Sequence, residues 1–395
     1  MEITMEYRLA YEILPAVRVS RKADKPWITK LDRNSDLLKA SRAKENFEQW
    51  KISWQGNKVA WLEQEGQDNE EIIQGILNYI YEGYRLIMLK NAGLLAIGNS
   101  FSEVNDALQG HTLSDVRDNK ESIVKDKIVV ITGAAQGFGK GLAEHFAAEG
   151  ACVVVADINR ETGEKSVNEI IEKTGSEAIV FIPVDVTDSR SVDAMILQTV
   201  FAFGGLDLFV SNAGVLKAGG LETLEEDAFD FLTKVNYKGL FLGTKYASRV
   251  MKTQHKYRPG YFMDIVQINS KSGLQGSNRN FAYAGSKFGS IGLIQSFALE
   301  LVTENIKVNA VCPGNFFDGP LWSDPESGLF VQYLKTGKVP GAKSIEDVRK
   351  HYEDMVPMRR GCFVEDVYKA VKYLIEQEYE TGQALPVTGG QVMLK

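Results

Sequence analysis

Cysteine is scarce in this chain. The 395 residues hold three, Cys152, Cys312 and Cys362, far apart and two of them within apolar runs. That excludes a disulfide framework and reads as reduced core thiols in a cytoplasmic protein. Histidine is almost as rare, at four residues, and the front of the chain holds only His111. A metal site needs several converging ligands, which one histidine among scattered acids does not supply, so no metal is expected. Positive charge is in deficit, with 45 Lys and Arg against 52 Asp and Glu, a net charge of -7 and a pI near 5.4. Such a surface offers no general attraction to a polyanion. Nucleic acid is therefore not an expected partner, and a phosphate-bearing substrate would need a local basic pocket. No run of eighteen apolar residues occurs, which argues against a membrane-spanning helix, and the acids within MEITMEYRLAYEILP argue against a signal peptide.

What is present is an ordinary globular composition, 44% hydrophobic and 25% charged, at a length that suits two domains. The expected fold class is α/β: a Rossmann-type doubly wound parallel sheet over 121–395, preceded by a small α/β module over 1–120. Residues 1–45 show no pattern that places an element. Trp50 to Trp54 (WKISW) and Val59 to Glu63 (VAWLE) alternate, and QGNK between them reads as a hairpin turn. A helix is expected over Glu70 to Gly83, strands at Arg85 to Leu89 and Leu94 to Ile97, and a capping box from Ser100 and Glu103. Trp50, Trp54 and Trp61 suggest either a compact core or a contact surface. The run RLIMLKNAGLLAIGNSFSEVNDALQ resembles the closing strands and helix of class II sugar-phosphate aldolase domains. Where that family's turn supplies a metal-binding histidine, this chain has Asn91-Ala92-Gly93, so the resemblance implies a remnant without aldolase activity. A polar link, Ser114 to Glu121, follows.

The organising stretch runs from Lys127 to Asp157. An apolar strand, Ile128 to Thr132, leads into a turn carrying Gly133, Gly137 and Gly139, which lets the backbone bend without a Cβ in the way. The helix that follows begins with unpaired N–H groups and the positive end of its dipole, a seat for the pyrophosphate of a dinucleotide. A second strand ends at Asp157, placed to accept hydrogen bonds from ribose hydroxyls, which favours NAD over NADP. Arg160 would soften that preference if it folded back.

From there strands and helices alternate, as a parallel sheet covered on both faces requires. Its strand ends carry candidate residues: Asp185 and Val186 toward an adenine, then Asn212, Ala213 and Gly214 in a turn running close beside the cofactor. Asn236 sits inside a helical stretch, where asparagine asks for a reason, a satisfied core amide being the bland one. Tyr283 and Lys287, four apart in FAYAGSKFG, share one face of an expected helix. A phenol is a poor base near neutrality, and an adjacent ammonium is expected to bring it toward the working range. Ser270, at a strand end, can hydrogen-bond a substrate oxygen as it changes between alcohol and ketone, while Tyr283 moves the proton.

With TGAAQGFG, NAG and this constellation, residues 125–393 resemble the short-chain dehydrogenase/reductase family of the NAD-preferring type. The resemblance implies that Gly133, Gln136, Gly137, Phe138 and Gly139 form the nucleotide loop and that Asn236, Ser270, Tyr283 and Lys287 form a catalytic tetrad. It also implies that Tyr283 and Lys287 touch the cofactor and that Pro313 and Gly314 lie beside the nicotinamide. The family often has a threonine where this chain has Asp318. QINSKSG, GNFFDGPLW, VPMRRGCFVEDV and TGQALPVTGGQVM are similar to the branch that interconverts an alditol 6-phosphate and a ketose 6-phosphate with NAD. That implies a phosphorylated sugar alcohol or ketose as substrate and a homodimer or homotetramer. A lid is expected over about 318–357, and the candidates for substrate contact are Lys217, Lys271, Arg279, Asn315, Arg359 and Arg360. Arg360 has the alternative of anchoring the lid by a salt bridge. An unphosphorylated polyol, or a nucleotide-binding scaffold without catalysis, are the alternative readings.

Overall fold

The computed structural model describes residues 4–21, 25–54, 56–110, 122–326, 328–335, 337 and 339–393. His111 and the link Ser114–Glu121 fall outside them. Eleven strands are found in the described residues. Four belong to the front module: β1 (Ile28–Asp32), β2 (Val59–Leu62), β3 (Leu86–Leu89) and β4 (Gly93–Gly98). Seven follow: β5 (Ile128–Thr132), β6 (Cys152–Asp157), β7 (Ile179–Pro183), β8 (Leu208–Ser211), β9 (Met263–Ile268), β10 (Ile306–Pro313) and β11 (Ala384–Val387).

The seven-stranded sheet has the order β11-β10-β9-β8-β5-β6-β7, and every pairing in it is parallel. Both faces of this sheet are covered, so β5 is buried along its whole length, as is β10 despite Lys307 and Asn309. Helices Gly137–Ala148, Arg160–Thr174 and Val364–Glu376 pack on one face. Helices Ser189–Phe203, Gly239–Tyr257 and Phe281–Leu301 pack on the other. The strand order reverses between β5 and β8, and in a doubly wound sheet that crevice, at the carboxyl ends, is where ligands sit.

The front module departs from expectation in two places. Trp50 to Trp54 is not a strand; it belongs to helix Lys44–Ser53 and its cap. Phe47, Trp50 and Trp54 recur at helical spacing, and the rings stack at 6.2 and 5.2 Å between centroids. β2 therefore pairs in parallel with β3 across helix Asn69–Tyr81, instead of closing a hairpin. The second departure is the unassigned start. Residues Met5–Arg8, a π turn Leu9–Ile13 and Leu14–Val19 make one helical run, and Ile28–Asp32 pairs antiparallel with β4. The β3–β4 hairpin forms as expected. Ser100 caps its helix, but Glu103 reaches back to the backbone N–H of Asn99.

The opening helix explains why the module does not hang free. Pro15 has no N–H to give to the carbonyl four residues earlier, and that Tyr11 carbonyl instead accepts the hydroxyl of Thr253 at 2.6 Å. Tyr11 in turn donates to Asp193. Arg18, fully buried, meets Asp207 with two N–H groups at 2.7 and 3.1 Å. Asp207 also accepts from the Ile128 backbone at 2.8 Å and the Tyr261 hydroxyl at 3.0 Å. Leu14 and Val17 of this helix, β1 and β4 of the small sheet, and Met195, Ala247 and Val250 of the large one form a single continuous core.

Candidate active site

A cleft of about 1470 Å³ opens at the carboxyl ends of the large sheet. Its floor is the glycine turn. Gly133 has φ +64°, and a Cβ there would lie 2.7 Å from the Ala213 backbone; one on Gly139 would lie 2.4 Å from the Gly133 carbonyl. The two glycines let β5, its helix and the Asn212–Gly214 turn close on one another. Asn212 locks the arrangement by donating to the carbonyls of Thr132 and Gly133, both at 2.9 Å, while the Thr132 hydroxyl accepts from Asn212 and Ala213, both at 3.1 Å. The helix Gly137–Ala148 starts at Gln136 with no side-chain cap, so its first N–H groups face the cleft.

Asp157, at the end of β6, accepts from Ala135 N–H and Asn159 N–H, each at 3.0 Å. A carboxylate has room for about four hydrogen bonds, so acceptor sites remain toward the cleft it lines. Arg160 does not fold back over it. The guanidinium reaches Glu164 at 3.1 Å and lies over the Phe181 ring. Asp185 and Val186 also line the cleft, as do Gln136, Gly137, Phe138, Pro313 and Gly314. This uncapped helix start, glycine cradle and acid suit a dinucleotide.

Ser270, Tyr283 and Lys287 converge on the opposite wall. Ser270 follows β9, and its hydroxyl caps a short helical turn by accepting from Ser272 N–H at 3.1 Å. It also lies near the Tyr283 phenol and favours its ionised form. Lys287 donates to the Ile268 carbonyl at 3.0 Å and lies 5.7 Å from the centre of the Tyr283 ring. A carbon placed on Gly214 would be 3.4 Å from Asn236 Oδ1 and 3.7 Å from Lys287 Nζ, so these three positions crowd one corner.

The phenol is not lowered as its neighbour suggests. Burial raises it, with the Ser270 hydroxyl working in the other direction. Burial also draws Lys287 down to about 8, and pushes the nearby Cys312 thiol up to about 12. Desolvation disfavours the charged forms in this corner, and at Cys312 it outweighs the Lys287 ammonium.

Asn236 stands one layer behind. It lies in a π turn, Lys234–Lys238, with its Oδ1 accepting from Val215 N–H at 2.8 Å and its Nδ2 donating to the Val215 carbonyl at 2.9 Å. Its amide braces the segment that follows the Asn212–Gly214 turn, and π turns of this kind gather at functional sites. Gly139 is likewise behind the wall and acts by its missing side chain.

Of the substrate candidates, Lys271, Arg279 and Asn315 line the cleft. Three do not. Lys217 is exposed and does not line it, although its neighbours Leu216 and Ala218 do. Arg359 pairs with Asp354 at 3.0 Å, and Arg360 makes a two-bond pair with Asp366 at 2.6 and 3.0 Å, both residues lying beyond the segment 318–357. Neighbouring carboxylates capture both arginines.

The segment 318–357 forms helices Pro320–Ser323, Leu329–Lys335 and Ile345–Asp354 around a core of their own, with Phe317, Trp322, Phe330 and Val348. Within the segment Asp318 ties its start to helix Ile345–Asp354 through Arg349 at 2.7 Å, and just ahead of it Phe316 stacks on Phe138 of the glycine turn at 4.4 Å. Three supports escape the sequence pattern. Asn269 donates to the Lys287 carbonyl at 3.1 Å, Ser286 accepts from Asn236 at 3.2 Å, and Gln391 meets Lys271. Only Asn269 left a trace, a polar residue closing an apolar strand.

The family model for short chain dehydrogenase matches residues 127–322. Sorbitol-6-phosphate 2-dehydrogenase of Escherichia coli is 35% identical over 271 residues, which is 68% of this chain and 99% of that protein. The crystal structure of sorbitol-6-phosphate 2-dehydrogenase from Erwinia amylovora superposes with a TM-score of 0.61 at 36% identity, over 68% of this chain and all (100%) of that one. A 3-ketoacyl-(acyl-carrier-protein) reductase from Brucella melitensis, complexed with NADH, gives 0.58 at 27% identity, over 68% and 99%. The chain belongs to the short-chain dehydrogenase family, oxidoreductases that work with a nicotinamide dinucleotide.

Proposed function

We propose that the protein is an NAD-dependent dehydrogenase that interconverts a sugar alcohol phosphate and a ketose phosphate, with sorbitol 6-phosphate and fructose 6-phosphate as the best-fitting pair. One observation carries this reading: Ser270, Tyr283 and Lys287 share a cleft with Lys271, Arg279 and Asn315. Among the described residues no carboxylate pairs with Lys271 or Arg279. Alcohol chemistry and a seat for an anion thus lie side by side.

The glycine turn and the start of helix Gly137–Ala148 would hold the pyrophosphate, and Asp157 the adenosine ribose hydroxyls. A 2′-phosphate would face that carboxylate with Arg160 engaged elsewhere, which supports NAD over NADP. Bound NAD supplies the acceptor, and NADH the donor, of a hydride. Ser270 donates to the substrate oxygen. Tyr283 takes the carbinol proton in oxidation and returns it in reduction, and Lys287 would stabilise the phenolate and hold the nicotinamide ribose. Asn236 keeps the adjoining segment in place. The front module serves packing, as its continuous core with the dehydrogenase supports.

Absorbance assays with sorbitol, sorbitol 6-phosphate, NAD and NADP test this. The expected order is sorbitol 6-phosphate over sorbitol and NAD over NADP. Indifference to the phosphate would overturn the substrate, and preference for NADP the cofactor.

A further inference from the structure

The chain's last described segment, TGGQVM, has no part in the chemistry above, yet it is built with care. Gly389 and Gly390 both have positive φ, +59° and +86°. A Cβ on Gly389 would fall 2.9 Å from Val356, and one on Gly390 3.1 Å from Pro357, so the turn is pressed against the end of the lid. Met358 N–H donates to the Gly389 carbonyl at 3.2 Å, and Gly314 N–H to the Val387 carbonyl at 2.9 Å. The Thr388 hydroxyl closes the turn on Val392, donating to its carbonyl at 3.0 Å. The product of this scaffolding is Gln391. Its Oε1 accepts from Lys271 Nζ at 3.0 Å inside the cleft.

The partner's chemistry matters. A glutamate in that place would neutralise Lys271; an amide oxygen orients the ammonium and leaves its charge intact. An ammonium has three N–H donors, and Gln391 uses one of them. Lys271 is half-buried, follows Ser270 directly and meets no carboxylate among the described residues, in a protein of net charge -7. Most of its fellow lysines with a partner have an acid.

We propose that Lys271 Nζ binds the terminal phosphate of the substrate, and that Gln391, presented by the turn 388–392, is the positioning residue that aims it without cancelling its charge. The proposal rests on the phosphorylated-substrate reading above and adds to it where the phosphate sits and why the C-terminal turn exists. It also makes the tail a specificity element, since its glycines, the lid's end and the Pro-Gly loop all bear on one amide.

The test uses the full chain and three variants: Gln391→Glu, Gln391→Ala and Lys271→Met. Losing one charge-assisted bond to phosphate corresponds to about 10–100-fold in affinity. Gln391→Glu and Lys271→Met should therefore each raise KM for sorbitol 6-phosphate by about that factor, with the loss in KM and not in kcat. The preference for sorbitol 6-phosphate over sorbitol should collapse to the same degree. Gln391→Ala should give a smaller rise of the same kind, and inorganic phosphate should inhibit the parent more strongly than Gln391→Glu. Melting temperature and NAD affinity report on folding in each variant. A parent that prefers the phosphorylated substrate with a Gln391→Glu variant that keeps the full preference overturns this proposal alone. A parent without that preference overturns the substrate reading beneath it. Loss of kcat with KM unmoved assigns Gln391 to the chemistry and likewise overturns the positioning role.

Discussion

At the amino end of the seven-stranded sheet, Arg18 is buried against Asp207 and Lys307 against Asp264, each cation meeting an acid at 2.7 or 2.8 Å. At the carboxyl end, Lys271 and Lys287 meet only neutral oxygens, those of Gln391 and Ile268, at 3.0 Å. The same strands run between the two. The Arg18 pair holds the front module to the dehydrogenase and the Lys307 pair ties β10 to β9, and both are finished when the chain folds. The open cations are left incomplete; under the proposed function a bound anion and a ribose hydroxyl would finish them. Buried charge without a partner is costly, and a fold that keeps it in one place uses it there.

The comparison breaks most decisively at Tyr283. Tyr283→Phe should lower kcat/KM by about 10²–10⁴, the usual worth of a positioned acid-base group, while the melting temperature stays at or above the parent value. Steady-state kinetics and calorimetry on one preparation give both numbers, and near-parental activity would remove Tyr283 from the chemistry. The amino end should give the mirror image. Arg18→Ala leaves the Asp207 carboxylate buried without its guanidinium, which costs about 3–5 kcal/mol of stability. The urea midpoint should drop accordingly, with kcat of the folded fraction unchanged. A midpoint that does not move would mean that solvent reaches Asp207 and that the module is held by its apolar contacts and the hydrogen bonds of Tyr11.

Lys287 sharpens the contrast with a smaller effect. Burial holds it near 8, below its ordinary 10.5. Above pH 8 the unfolded chain therefore binds more protons than the folded one, and stability gains up to about 1.4 kcal/mol per pH unit until the ordinary value is passed. Lys287→Met should remove that gain. Urea midpoints of the parent and the variant at pH 8 and pH 10 check it; parallel slopes would show the ammonium to be solvated.

Local signals were the legible ones. The glycine turn, Asp157 and the Tyr283–Lys287 pair each depend on residues a few positions apart, and the parallel sheet declares itself through apolar runs between helices. WKISW misleads because its aromatic and aliphatic residues fit both an alternating strand and a helical face. Phe47, three residues ahead of Trp50, decides for the helix once Trp61 packs on it at 5.2 Å. The opening helix was unreadable for a different reason. Arg18 and Pro15 interrupt its apolar pattern, and what makes them acceptable is Asp207 and Thr253, remote in sequence. Arg359 and Arg360 were drawn toward the substrate by their charge, and only the positions of Asp354 and Asp366 show them taken. Gln391 had no local signal, its partner being 120 residues earlier.

The docking of that first helix also sets a timetable for synthesis. Tyr11 and Thr253 are separated by 242 residues, so the opening helix leaves the ribosome long before the surface that receives it exists. At about 5–20 residues per second the wait is roughly 10–50 s. During it Leu9, Ile13, Leu14 and Val17 have only the small sheet to cover them. The nascent chain should be open to proteases and chaperones in that interval, and the dehydrogenase half closes it by arriving.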